Sequence, residues 1–161
     1  MIGLGRMAQA LVTPWLEAGL LQRDQLQLSV ASEASAQALR QRFGCPVHTD
    51  PSACLAVSEL LLALKPQQLD GLVKQLGGRT AIAAAAAKRA EPPLLISVLA
   101  GVSSERLQDC FPGWRVVRTV PNTPALVRQG LVGLAFADGV SAAQQQRVQS
   151  LFSAVGEVLE L

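Results

Sequence analysis

Short apolar stretches alternate with longer amphipathic stretches along the chain, as expected for an α/β protein. Residues 60–64 and 94–99 are continuously apolar, which is typical of strands that are buried on both faces of a parallel sheet. Further strands are predicted at residues 26–31, 46–48, 114–120, 131–137 and 156–161. The order of elements predicts a doubly wound α/β sheet, mainly parallel, with helices on both faces and an antiparallel strand near the C-terminal edge.

Helices are predicted between these strands, at residues 7–17, 32–43, 66–76, 80–90, 103–110 and 141–152, and from residue 51 onwards. Either Ser32 or Ser35 can cap the second helix, and Asp50 followed by Pro51 is a typical helix start. Pro14 lies inside the first helix, where it removes a backbone hydrogen bond. A kink or an early end is therefore expected there.

The composition fits one domain spanning residues 1–161 and excludes several classes of partner. Half of the residues are hydrophobic, 16% are charged and the net charge is +2, so nucleic acid and anionic membranes are not expected partners. Aromatic residues make up only 4%, which argues against base stacking. The sequence contains no apolar stretch of membrane-spanning length and no signal-peptide pattern, which favours a cytoplasmic protein.

Cysteine and histidine are the residue types that would signal metal or redox chemistry here. Cys45, Cys54 and Cys110 are odd in number and have no C-x-x-C spacing, so they are expected to be reduced and mostly buried. His48 is the only histidine and has no cluster of partner ligands. We therefore expect no metal site.

A glycine-rich segment near the start of the sequence carries the first chemical signal. Gly3, Gly5 and Ala8 form the pattern G-x-G-x-x-A, and a helix-forming run follows. In a dinucleotide site, the first glycine allows a tight turn, the second lets the backbone approach a pyrophosphate, and the small third residue lets helix and strand pack closely. The helix N-terminus then faces the phosphates. A glycine-rich turn without a ligand is the alternative, because only Met1 and Ile2 are present for the preceding strand.

Other strand ends are expected at the same edge of the sheet, where doubly wound sheets bind their ligands. They comprise residues 31–33, 63–66 and 98–101. Lys65 directly follows a buried strand, so its ammonium group can reach a ribose or phosphate oxygen; a lysine that only extends into solvent is the alternative. Ala100 and Gly101 are small enough for a flat ring to approach the backbone, although an ordinary turn has the same residues.

The segment Pro121-Asn122-Thr123-Pro124 predicts a stiff loop after the strand at residues 114–120. Its two prolines restrict the backbone, so the amide of Asn122 and the hydroxyl of Thr123 are held in a fixed direction. A proline-rich turn with a capping asparagine explains the pattern equally well.

Together, these motifs resemble the pyrroline-5-carboxylate reductase family. The matching segments, in chain order, are Ile2-Gly3-x-Gly5-x-Met7-Ala8, Ala63-x-Lys65-Pro66-Gln67, Ile96-Ser97-x-x-Ala100-Gly101-Val102 and Arg118-x-x-Pro121-Asn122-Thr123-Pro124-Ala125-Leu126-Val127. The resemblance covers essentially the whole chain, and its last segment is far more specific than the glycine loop. It implies a Rossmann-type cofactor domain and the reduction of Δ1-pyrroline-5-carboxylate to L-proline with hydride from NADPH or NADH.

The resemblance also implies which residues contact the cofactor. These are Ile2, Gly3, Leu4, Gly5, Arg6 and Met7 in the first loop, Ser32 and Asp50 near the adenosine ribose, Ala63, Leu64, Lys65 and Pro66 at one strand end, and Val98, Leu99 and Ala100 at the next. Asn122 is implied as an active-site residue near the nicotinamide. Family members often have asparagine where Asp50 stands. Because Asp50 and Glu33 would repel a 2′-phosphate and suit a 2′-hydroxyl, the choice between NADPH and NADH stays open.

Members of that family continue for roughly another hundred residues, as a helical domain. The resemblance implies that this domain forms the family's homodimers and higher oligomers and supplies a Gly-Gly-Thr-Thr substrate loop that is absent from this sequence, so the 161 residues can be monomeric. Pyrroline-5-carboxylate is the implied small-molecule partner, and we expect these residues alone to have negligible activity. Two alternatives stay open: a reductase-like protein with a regulatory or structural role, and a different reductase of this fold, such as an F420- or imine-type relative.

Overall fold

A computed structural model describes residues 1–122 and 130–161, so the prediction for Thr123 lies outside the described residues. Seven strands and six α-helices make up the described part. In chain order they are α1 (Arg6–Glu17), β1 (Leu28–Ser29), α2 (Glu33–Phe43), β2 (Val47–His48), β3 (Glu59–Leu62), α3 (Leu69–Gln75), α4 (Gly78–Ala87), β4 (Leu94–Ser97), α5 (Ser104–Cys110), β5 (Arg115–Pro121), β6 (Gly130–Phe136), α6 (Ala142–Ser153) and β7 (Gly156–Glu160). Short 3₁₀ helices occur at Arg23–Gln25, Pro51–Leu55 and Pro66–Gln68.

A single residue, Ile2, joins two groups of strands into one sheet. Its N–H donates to Leu61 O and its carbonyl accepts from Ala63 N, both at 2.9 Å, while Gly3 N donates to Ser29 O at 2.9 Å on the other side. The strand order is therefore β2-β1-Ile2-β3-β4-β5-β6-β7. After Ile2 the chain adds β1 and β2 on one side of it, and then returns to add β3, β4 and β5 on the other side. Ligands of such sheets usually bind in the crevice where the order of strands reverses, which here lies between Ile2 and β3.

The predicted sheet directions are confirmed. β1 pairs in parallel with β2, and β3, β4 and β5 are parallel to one another. β6 runs antiparallel to β5, and β7 is parallel to β6. The reversed part of the sheet thus consists of the last two strands, beside the C-terminal edge.

Helices cover both faces of the sheet, as predicted. One core contains buried residues of α1, α2 and α6, and the other contains those of α3, α4 and α5. Trp15 connects α1 to α6, because its indole N–H donates to Leu151 O and its ring meets Phe152 edge-on with centroids 5.5 Å apart. This contact fixes the direction of α1, whose first turn forms part of the site.

Local details differ from the sequence-based expectations in instructive ways. Pro14 does not end α1 early: it is buried, and its carbonyl accepts from Ala18 N at 2.9 Å, so the helix continues to Glu17. The strand expected at residues 26–31 is reduced to Leu28–Ser29. Ser32 rather than Ser35 caps α2, because the Ser32 hydroxyl accepts from Ser35 N at 3.2 Å. Residues 30–31 follow β1 at the carboxyl edge of the sheet, where Val30 N still donates to His48 O at 2.9 Å.

The three cysteines are free and buried, as predicted. Burial raises the pKa of each thiol above its usual value, so none is a ready nucleophile at neutral pH. The residues that the structure describes contain no group of three or more potential metal ligands. Within the same residues, no helix has the length and apolar character needed to cross a bilayer.

Candidate functional site

Two glycines shape the loop that leaves the sheet at Ile2, and each is required for a different reason. Gly3 has a φ of +84°, and a Cβ at this position would lie only 2.5 Å from Ala63 O. Gly5 is the N-cap of α1 with an extended backbone, and a Cβ there would meet no atom within 4 Å. The fold therefore requires Gly3, whereas the empty space in front of Gly5 is where a phosphate would lie at a helix N-terminus.

Replacing Gly3 with alanine is expected to lower the free energy of unfolding by about 2 kcal/mol, because a left-handed backbone and a steric overlap are both imposed on the loop. Urea denaturation of the variant beside the wild-type protein measures this difference. The matched control is Gly5→Ala, which adds the same methyl group to an unstrained, open position. Equal urea midpoints for the Gly3 variant and the wild-type protein would contradict the conclusion that the fold requires glycine at this position.

Two connected grooves open at the carboxyl edge of the sheet. The first, named here the Asp50 groove, has a volume of about 630 Å³ and lies between the ends of β1 and β2 and the α3 side that carries Leu72 and Gln75. The second, named the Arg42 groove, has a volume of about 670 Å³ and lies between the first turn of α1 and the α2 face that carries Ser35 and Arg42. The two grooves meet at residues that line both: Gly3, Val30, Ala31, Leu64 and Gln68.

The structure brings most of the sequence-predicted cofactor residues together around these grooves. Those that line at least one groove are Ile2, Gly3, Leu4, Gly5, Arg6, Met7, Asp50, Ala63, Leu64 and Lys65. Those that line neither are Ser32, Pro66, Val98, Leu99, Ala100 and Asn122. The first set surrounds the loop after Ile2 and the ends of β2 and β3, and most of the second set belongs to the neighbouring strand ends of β4 and β5.

The strand ends on the β4 and β5 side are fixed by hydrogen bonds from two buried hydroxyls. The Ser97 hydroxyl accepts from Leu99 N at 3.2 Å, and the Thr119 hydroxyl donates to Ser97 O at 3.3 Å. The sequence analysis assigned a role to neither hydroxyl. Ser97 and Thr119 are polar residues buried among apolar ones, and this contrast in β4 and β5 is the signal that could have revealed them.

Asn122 lies directly after β5, and its side chain has a structural partner. The Asn122 amide oxygen accepts from Leu131 N at 3.0 Å, which ties the end of β5 to the start of β6. This bond is what a capping asparagine makes, and it orients the amide group at the sheet edge. An active-site role for Asn122 remains a prediction.

Two acidic side chains were expected to influence the cofactor's ribose, and their surroundings differ. The Asp50 carboxylate accepts from Ser52 N at 2.9 Å, and this backbone hydrogen bond holds the pKa of Asp50 below its usual value. Asp50 is therefore an anion on the Asp50 groove at neutral pH. Glu33 lines neither groove and pairs with Arg40 at 2.5 Å. Its charge is therefore partnered away from the site.

Arg42 is a groove residue that the sequence analysis did not identify. Its guanidinium donates from Nη1 to the Gln9 side chain of α1 and stacks over the Phe43 ring, with the two groups 5.1 Å apart. In the sequence, Arg42 cannot be distinguished from an ordinary charged residue on the exposed face of an amphipathic helix. Only the packing of α2 beside α1 reveals that this helix face borders the glycine loop at residues 3–5.

Comparisons with known proteins extend over different parts of the chain. Residues 1–101 match the family described as "NADP oxidoreductase coenzyme F420-dependent". A pyrroline-5-carboxylate reductase from Synechocystis is 35% identical over 161 residues, which cover 99% of this chain and 57% of that relative. The corresponding enzyme from Pasteurella multocida is also 35% identical and is matched over 97% of this chain and 55% of its own length.

A solved structure agrees with these matches. The pyrroline-5-carboxylate reductase from Coxiella burnetii superposes with a TM-score of 0.86 at 25% identity, over 99% of this chain and 57% of that chain. The chain thus spans somewhat more than half the length of the relatives it matches. Because the family match includes more than half of the chain, this protein belongs to the NADP oxidoreductase family described as coenzyme F420-dependent, and its similarity to pyrroline-5-carboxylate reductases extends over nearly all its residues.

Proposed function

We propose that this chain is the NADPH- or NADH-binding part of a pyrroline-5-carboxylate reductase, which reduces the C=N bond of Δ1-pyrroline-5-carboxylate to give L-proline. The observation that carries the proposal is the open position in front of Gly5, at the N-terminus of α1 and in the crevice beside Ile2. A helix N-terminus at such a crevice suits a pyrophosphate. The Arg6 and Lys65 side chains line the same space and add positive charge for the phosphates.

The extent and identity of the matches favour this reductase over another member of the family. The family match ends at residue 101, before the segment that contains Asn122. The relatives named pyrroline-5-carboxylate reductase match 97–99% of the chain and so include that segment. The fold alone does not separate the activities, because solved imine reductases also superpose over 99% of this chain, at 18% and 16% identity. The 35% identity to the pyrroline-5-carboxylate reductases is what favours this activity.

The two ends of the cofactor are proposed to bind different parts of the site. The adenosine moiety occupies the Asp50 groove, with the pyrophosphate over residues 3–7. When bound, the reduced nicotinamide supplies the hydride for the imine carbon. Residues 98–100 and Asn122 lie on the strand ends beyond the grooves and are proposed to border the nicotinamide. The substrate-binding half of the site is proposed to belong to the part of the relatives that this chain does not span.

The cellular setting is also part of the proposal. Three buried thiols with raised pKa values suit a protein that works in a reducing compartment, so we propose the cytoplasm. Pyrroline-5-carboxylate is the proposed small-molecule partner of the complete enzyme. The family's oligomers are proposed to form through the helical domain that these 161 residues lack.

Titration of the purified protein with NADPH and NADH tests the cofactor-binding part of the proposal. We expect saturable binding of at least one of the two, detected by the fluorescence of the reduced nicotinamide and by calorimetry. Competition with a nucleotide that lacks the nicotinamide, such as 2′,5′-ADP, is expected to displace the cofactor, because most of the lining residues surround the adenosine and phosphate side. Failure to bind either dinucleotide at millimolar concentration would contradict the proposal.

A further inference from the structure

A further cavity, named here the Arg89 cavity, lies at the amino edge of the sheet, opposite the two grooves. It has a volume of about 520 Å³ and is enclosed by the segments that lead into β1 and β3, by the end of α1 and by one face of α6. Among the described residues, none lines both this cavity and a groove. A ligand in the Arg89 cavity would therefore be separate from a dinucleotide at the carboxyl edge.

Arg89 brings a half-buried guanidinium to this cavity without a counter-charge. Within residues 1–122 and 130–161, its side chain makes no hydrogen bond or ion pair. Its backbone position is fixed, because Arg89 follows the C-cap of α4 and its N–H donates to Ala86 O at 3.0 Å. Arginine is rarely buried without a partner, since removing its charge from water is costly. An anion from solution would compensate this charge.

The other charged side chains at the cavity are paired with each other. Nε of Arg147 donates to both carboxylate oxygens of Glu59, at 3.1 and 3.3 Å, and Nη1 of Arg147 donates to Leu20 O at 3.1 Å. Glu59 is the acidic residue of this lining, so its negative charge is already compensated. Among the lining side chains, Arg89 thus leaves one net positive charge. A carboxylate carries a single negative charge and matches the planar fork of a guanidinium.

The rest of the lining has an apolar part and a polar part. Trp15, Ile96 and Leu151 are almost completely buried and form an apolar wall. Gln25 and Ser58 are exposed and place polar groups where the cavity opens to solvent. Each methylene group that such a wall removes from water adds about fourfold to the affinity of a ligand. The cavity therefore suits a carboxylate that carries an apolar body.

We propose that the Arg89 cavity is a second ligand site, which binds a small monocarboxylate with an apolar body. The carboxylate pairs with the Arg89 guanidinium, and the body lies against Trp15 and the apolar residues beside it. The inference goes beyond the proposed function and does not depend on it, because the cavity and the dinucleotide grooves are formed by different residues.

Sodium hexanoate is the probe, and hexanamide, which has the same chain without the charge, is the matched control ligand. At constant ionic strength, we expect hexanoate to raise the urea midpoint of the protein in a saturable way, since a ligand that binds only the folded state stabilises it. Hexanamide should bind at least about tenfold more weakly, because it cannot form a charged pair. Butanoate, two methylene groups shorter, should also bind roughly tenfold more weakly than hexanoate.

The place of binding is tested by nuclear magnetic resonance of isotope-labelled protein. Trp15 lines the cavity, whereas Gly3 and Gly5 line the grooves at the opposite edge of the sheet. Hexanoate is expected to shift the indole N–H resonance of Trp15 and to leave the amide resonances of the two glycines unchanged. Shifts at the glycines in place of Trp15 would put the carboxylate in the cofactor grooves and overturn the inference.

Arg89→Gln is expected to lose at least about tenfold in hexanoate affinity. Without ligand, its urea midpoint should equal or exceed that of the wild-type protein, because an unpaired half-buried charge is removed. The matched control is Lys88→Gln, which removes the same charge from the adjacent exposed residue outside the cavity lining and should leave the affinity unchanged.

Four further results would overturn the inference: no saturable hexanoate binding at millimolar concentrations, equal binding of hexanoate and hexanamide, full affinity in Arg89→Gln, or a lower midpoint for that variant without ligand. The last of these would show that Arg89 has a structural partner. Failure of the proposed function would leave all these measurements unchanged, since none of them involves a dinucleotide.

Discussion

A Gly5→Val variant is expected to bind NADPH at least about a hundredfold more weakly than the wild-type protein, which corresponds to about 2.7 kcal/mol. The backbone at Gly5 has φ −70° and ψ −175°, a conformation that valine adopts without strain. Apart from the adjoining backbone, no protein atom lies within 4 Å of a Cβ built there, so the valine side chain starts in open space. That space lies before the first turn of α1, where the pyrophosphate is proposed to bind. The valine is therefore expected to weaken cofactor binding without lowering the stability of the fold.

Calorimetric titration with NADPH measures the loss, and urea denaturation checks that the variant remains folded. Ala18→Val is the matched control: Ala18 is the exposed C-cap at the opposite end of α1, where added methyl groups meet no part of either groove. Gly5→Ala should give an intermediate affinity, because one methyl group fills less of the same space. An unchanged affinity in the valine variant would refute the assignment of this loop to the pyrophosphate.

Much of the fold was predictable because its signals are local. Continuous apolar runs identified β3 and β4, and the boundaries of α2 followed from a capping serine and from Gly44, which takes a φ of +62°. The extent of β1 was not predictable, since pairing depends on neighbours that are distant in sequence. The same holds for α1, which passes through Pro14 because tertiary contacts bury that residue.

The residues of the candidate site likewise include some that the sequence identifies and others that only tertiary packing reveals. The glycine loop and Lys65 could be identified because their spacing relative to a strand places them at the ligand edge. The place of Arg42 on the groove could not, since it depends on which side of α2 meets α1. Glu33 shows the same dependence on packing: the sequence predicts an acid near the ribose, and the structure shows that this exposed acid pairs with Arg40 and lines neither groove. The ion-pair partner of each charged residue near a site must therefore be known before ligand specificity is inferred from its charge.

The part of the site proposed to border the nicotinamide differs from the part proposed to hold the adenosine. Residues 98–100 and Asn122 line neither groove, and Val98 and Asn122 are bonded to neighbouring strands through Leu62 O and Leu131 N. Residues 98–100 themselves are apolar, and Asn122 contributes an amide, so none of these four residues can protonate an imine nitrogen. We therefore expect cofactor binding and substrate positioning to be separable, with the first carried by the described part of this chain.

These 161 residues alone are accordingly expected to oxidise NADPH with pyrroline-5-carboxylate at least about a thousandfold more slowly than the full-length Synechocystis relative, because the imine is neither held against the nicotinamide nor protonated there. Steady-state absorbance at the reduced-nicotinamide band measures the two rates. The segment of the Synechocystis relative that matches this chain is the control, and it should be equally slow while still binding NADPH. A rate near that of the full-length relative would refute the division of the site. A further outcome concerns the complete product, if the gene of this protein encodes further residues. If that product binds NADPH but does not reduce pyrroline-5-carboxylate, the regulatory or structural alternative replaces the enzyme, because cofactor binding would then occur without catalysis.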